Sequence, residues 1–117
     1  MKTIRGAISI ENDCEKEIDD AIEELFNIFL KQDECFFENI DAIIFSITDD
    51  IRSKNPAKSL RENFSGVADI SLMVFKEADF DSSAEKIIRT LIFYENMNVK
   101  PVYARRARFL RPDIISG

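Results

Sequence analysis

A carboxylate and a guanidinium twelve residues apart, Glu77 and Arg89, dominate the chemistry this sequence could carry. Glu77 follows the apolar run Leu72-Met73-Val74-Phe75, whose length and bulk read as a buried strand. Arg89 lies inside a second run, Ile87-Ile88-Arg89-Thr90-Leu91-Ile92-Phe93-Tyr94. An arginine in such a run needs a partner, because burying an unpaired guanidinium is costly. Two readings fit: a structural ion pair, or a site in which both groups face a polar ligand. More cations lie elsewhere. Lys58 and Arg61 are three apart, hence on one face of a short helix. Lys100, Arg105, Arg106, Arg108 and Arg111 form a stretch with no acidic residue. A cationic segment on an acidic chain suits a small anionic ligand through its local potential. As a solvated edge strand it would instead oppose aggregation.

Other chemistries are excluded by composition. The chain has no histidine, which removes the commonest general base and metal ligand. Cys14 and Cys35 are far apart and stand in no metal or redox spacing, and a reduced, cytoplasmic setting is the default. The net charge of −6 argues against nucleic acid as the main partner. No apolar run approaches the roughly 18 residues that a membrane span needs. The first residues, MKTIRGAISIEND, lack the apolar core and cleavage site of a signal peptide. At 117 residues the chain reads as a single domain, 1–117.

The elements that must position these groups can be read from periodicity. Lys2–Ile10 alternates, with Ile4, Ile8 and Ile10 on one face and Arg5, Ala7 and Ser9 on the other. Asn12 or Asp13 offers an N-cap, and Ile18, Ala21, Ile22, Leu25, Phe26 and Phe29 follow at helical spacing, predicting a helix over Cys14–Lys31. A loop over Lys31–Asn39, burying Phe36 or Phe37, leads to a strand at Ile40–Thr48, apolar enough to be covered on both faces. Asn55-Pro56 starts a short helix, Pro56–Asn63. Further strands are expected at Asp69–Lys76, Lys86–Tyr94 and Val102–Leu110, the last placing Tyr103, Arg105, Ala107 and Phe109 on one face with Arg111 continuing it. The fold class is α+β, five strands and two helices. One substantial helix cannot cover both faces of so apolar a sheet, so self-association is expected.

Several groups of residues can now be set side by side: Arg5-Gly6-Ala7, Pro56-Ala57-Lys58 with Arg61, Lys76-Glu77-Ala78-Asp79, Ile88-Arg89, and Tyr103 with Leu110-Arg111-Pro112-Asp113. In this order and spacing, from about Met1 to Asp113, they resemble the AroH class of monofunctional chorismate mutases, the small trimeric type of bacilli and relatives. The resemblance implies a Claisen rearrangement of chorismate to prephenate, in phenylalanine and tyrosine biosynthesis, without nucleophile, metal or cofactor. It implies a mixed five-stranded sheet with one long and one short helix on its outer face. Three such subunits would form a barrel-like homotrimer with active sites at the seams. It assigns Arg89 to the ether oxygen of the substrate and Glu77 to the ring hydroxyl and to bracing Arg89. Arg5 and Tyr103 take the enolpyruvyl carboxylate. Lys58, Arg61 and Arg111 line the mouth, with Ala57, Val74 and Leu110 as further substrate contacts.

The chain departs from that class at three places. Asn55 replaces a large apolar residue, Val74 stands where some members have cysteine, and Phe80-Asp81-Ser82-Ser83-Ala84 lacks the usual glycine or proline. Two other readings stay open at this point: a non-catalytic trimer that holds a small carboxylate, and an imine hydrolase of the Rid type.

Overall fold

The computed structural model describes residues 1–78 and 84–111. Its elements are β1 (Lys2–Ser9), α1 (Glu15–Leu30), β2 (Ile40–Ile47), α2 (Pro56–Asn63), β3 (Ser71–Lys76), β4 (Ile87–Tyr94) and β5 (Val102–Ala104). The strands form one mixed sheet in the order β3-β2-β4-β1-β5. The three central strands pair antiparallel, and each edge strand runs parallel to its neighbour.

One face of the sheet is covered. Ile18, Ala21, Ile22, Leu25, Phe26 and Phe29 of α1 are buried, among them Phe26 tilted against Phe45 of β2 at 6.1 Å between ring centroids. Full burial of each large apolar side chain contributes about 1.5–3 kcal/mol. The helix lies close to β1. A Cβ on Gly6 would come within 2.9 Å of the Phe29 ring and 2.8 Å of Thr90 Oγ1, so only glycine permits that approach. No helix among the described residues is long and apolar enough to cross a membrane.

The start of α1 differs from the capping expected. Its N-cap is Cys14, which makes no side-chain cap bond. Asp13 is engaged elsewhere, accepting from the backbone N–H groups of Arg52 and Ser53 at 3.0 Å each. Glu17 instead turns back to accept from the N–H groups of Glu11 and Asn12. At α2 the expectation holds: Asn55 Oδ1 accepts from Ala57 N at 2.8 Å, with Pro56 opening the helix.

Three strand readings are corrected. β3 is an edge strand, and Met73 and Phe75 are 56% and 48% exposed rather than buried. β2 is covered on one face only, with Ala42, Ile44 and Ser46 half-exposed on the other. β5 ends at Ala104 rather than Leu110, because Arg105 adopts a left-handed conformation (φ 56°) and the chain continues as a 3-10 turn, Arg105–Leu110. Distant partners stabilise that turn. Arg105 donates from Nε to Glu24 and from Nη1 to the Ser9 carbonyl. Arg106 donates from its backbone N to Ser9 Oγ and from its side chain to Glu11 and the Ile10 carbonyl. These two arginines therefore fasten the C-terminal segment to β1 and α1, and the shared face expected for Tyr103, Arg105, Ala107 and Phe109 does not form. In the loop before β2, Phe37 is half-buried and Phe36 is exposed. The divergent 80–84 segment lies largely outside the described residues, of which it keeps only Ala84.

Candidate active site

Strand register brings the chemistry together on the face away from α1, which the Arg105–Leu110 turn covers only at its β1–β5 end. Phe75, Ser46, Arg89, Ala7 and Tyr103 are successive partners across β3, β2, β4, β1 and β5. In the next row Met73, Ile44, Leu91 and Arg5 are partners likewise. Side chains two residues apart on a strand share a face, so Arg5 lies diagonal to Arg89. Glu77 follows Phe75 by two, and its N–H donates to the Ile47 carbonyl at 2.9 Å, continuing the β2–β3 ladder one residue past the strand. That places the carboxylate above Ser46 and Arg89.

The result is a depression of about 260 Å³ lined by Arg5, Gly6, Ile44, Ser46, Arg89, Thr90, Leu91 and Tyr103. Arg89 Nε donates to Glu77 Oε1 at 3.0 Å, the Glu77 side chain being 18% exposed. Ser46 Oγ lies 3.4 Å from the same oxygen. Among the described residues, neither terminal nitrogen of Arg89 has a partner, and Arg5 has no ion-pair partner. Tyr103 is buried, and the Arg111 guanidinium lies 5.9 Å from its ring centroid, within cation–π range. Leu110 packs beside Tyr103 and Ala7.

The remaining expected contacts lie elsewhere on the chain. Lys58 and Arg61 are exposed on α2, and Ala57 is buried in the main core. Val74 belongs to the helix-covered face and lines a second, more open depression of about 530 Å³ with Ile47, Asp49, Ile51, Arg52, Lys54, Asn55 and Lys76. That depression is larger but chemically occupied. Lys54 is paired with Asp19 and Glu62, Lys76 Nζ donates to the Ile51 carbonyl at 2.7 Å, and Arg52 faces Asp49. In the first, Arg5 has no ion-pair partner among the described residues, and Arg89 is joined to Glu77 through Nε. Ser46, Ile44 and Leu91 were not singled out from sequence. A lone hydroxyl in the Ile40–Ile47 run, where Asp41 is the one other polar residue, is with the parity of that strand the signal that could have found Ser46.

The model for chorismate mutase type I matches residues 1–114. The chain belongs to the chorismate mutase type I family. It is 32% identical to chorismate mutase AroH of Thermus thermophilus over 100% of this chain and 98% of that protein. It is 27% identical to chorismate mutase AroH of Bacillus subtilis (strain 168), over 97% and 92%. Its fold superposes on the chorismate mutase from Clostridium thermocellum Cth-682 with a TM-score of 0.84 and 26% identity, covering 93% and 99% of the two chains. The activity is thus that of a chorismate mutase, an isomerase, and the Rid-type reading is set aside. Mixed sheet and α+β class agree with the fold expected from sequence.

Proposed function

We propose that chorismate is bound and rearranged to prephenate in the Arg5–Arg89–Tyr103 depression, with Glu77 on its rim. The observation that carries this reading is the way Arg89 is held. Its single bond to Glu77 runs through Nε, which leaves both terminal nitrogens directed to other partners in a cavity that also contains Arg5.

The reaction is unimolecular: the ether C–O bond breaks as a new C–C bond forms, and no proton changes place. The chain therefore has two tasks, to hold the dicarboxylate compact and to stabilise the negative charge gathering on the ether oxygen. Arg5 and Tyr103 take the enolpyruvyl carboxylate, arginine through its planar fork. Holding the near-attack conformer lowers the entropic part of the barrier. Arg89 donates to the ether oxygen, an interaction that strengthens only as charge develops and so accelerates the step. Glu77 accepts from the ring hydroxyl. Lys58, Arg61 and Arg111, with Ala57, Val74 and Leu110, complete the walls and mouth. Lys58, Arg61, Ala57 and Val74 stand apart from the depression in one chain, which favours a site finished by another copy in a homotrimer.

Arg89→Lys tests the assignment, since it keeps the charge and changes the geometry. Loss of a preorganised donor at a developing oxyanion costs about 10²–10³ in rate. Following chorismate depletion by purified protein, that loss is expected in kcat, with KM little changed. A kcat within a few-fold of wild type removes Arg89 from the reacting bond. A raised KM with intact kcat reassigns it to carboxylate binding.

A further inference from the structure

Ser46 stands in the largely apolar strand β2, opposite Arg89 on β4 and opposite Phe75 on β3. It is half-exposed, it lines the depression, and its Oγ lies 3.4 Å from Glu77 Oε1. That oxygen is the one that accepts from Arg89 Nε. Two donors therefore converge on Oε1, and among the described residues none reaches Oε2.

A carboxylate and a guanidinium left to themselves favour a two-point fork, with two parallel N–H···O bonds. That arrangement would draw a terminal nitrogen of Arg89 onto Oε2 and withdraw both atoms from the cavity. Here the pair is joined at one point only. We propose that Ser46 is a positioning residue: its hydroxyl, by donating to Glu77 Oε1, tilts the carboxylate so that Oε2 and both terminal nitrogens of Arg89 face the substrate. The inference rests on the reading of the depression as the active site. Ser46 acts through Glu77 and Arg89 and does not touch the reacting atoms.

The test compares wild type with Ser46→Ala and Ser46→Thr, the second keeping a hydroxyl on a residue well suited to a strand. Ser46→Ala is expected to lower kcat/KM for prephenate formation by about tenfold, the scale of one hydrogen bond to a charged group, with the loss mainly in kcat. Ser46→Thr is expected to restore most of it. The second readout needs no turnover. In NMR spectra of the full chain, the terminal guanidinium protons of Arg89, assigned by their loss in Arg89→Lys, are averaged by rotation in the one-point attachment. They should resolve into separate signals in Ser46→Ala and be averaged again in Ser46→Thr. A Ser46→Ala protein with a lowered Tm but wild-type kcat/KM and unchanged Arg89 signals overturns the proposal. So does a fall in kcat/KM with unchanged signals, which would place Ser46 on the substrate itself. Failure of wild type to convert chorismate sinks the active-site reading, and the NMR comparison then still decides whether Ser46 holds the pair open.

Discussion

The proposed site gives Glu77 two duties, and a functional role separates from a structural one by measurement. Glu77 accepts from Arg89 Nε, and the proposal leaves its second oxygen for the ring hydroxyl. Glu77→Ala removes both, so kcat/KM is expected to fall about 10–100-fold, the worth of one or two hydrogen bonds to charged groups. If the pair were only structural, Tm would drop while kcat/KM per folded molecule stayed at the wild-type value. Measuring the two together distinguishes the cases. This pair was legible in the sequence because an arginine in an apolar strand demands a counter-charge. Ser46 was not, because a serine in a strand gains meaning only from the residue opposite it. Register between β2 and β4 is a property of the whole sheet.

At the level of elements, α2 and the segment before it are fastened from α1 and the turn that leads into it. Asp13 takes the N–H groups of Arg52 and Ser53. Asp19 takes Lys54 Nζ at 2.9 Å and the Ser59 hydroxyl. Burial alone would push the Asp19 carboxyl up, but donation from Lys54 and Ser59 outweighs it and holds the group below its ordinary value. A carboxyl depressed by folding stabilises the protein above its unfolded value near 4, and that stability is lost as pH falls through the folded one. The Asp19 side chain remains 33% exposed, so solvent screening reduces the effect. Asp19→Asn is expected to cost roughly 1 kcal/mol at pH 7, about 4 °C in Tm. The gap from wild type should narrow as pH falls below about 4 and through the folded value, and thermal melts across the acid range check it. A gap unchanged with pH would mean that the carboxylate charge contributes nothing. Both helices were readable because their signals are local: a 3.6-residue apolar period for α1, and Asn55-Pro56 for α2. The end of β5 was not, since the left-handed turn at Arg105 depends on Ser9 and Glu24, far away in the chain.

For the molecule as a whole, the uncovered sheet face decides the assembly. Met73 and Phe75 are exposed there, and Ile44, Leu91 and Phe93 are half-exposed. In the homotrimer proposed above, closure of that face against other copies would bury them. Sedimentation equilibrium at micromolar concentration is expected to give three times the 13.5 kDa of one chain. A monomer would contradict both the trimer and a site shared between copies. The strand order carries a different consequence, one for biogenesis. β1 is the first strand to be synthesised, yet it pairs only with β4 and β5, the last two. The first sheet pairing available to a growing chain is β2 with β3. Until residues beyond 87 emerge, the strand carrying Arg5 has no ladder to join, so a nascent chain holds an unpaired apolar strand through most of its synthesis. Such species are prone to aggregate, and a chain truncated before β4 would lack the centre of its sheet rather than an edge.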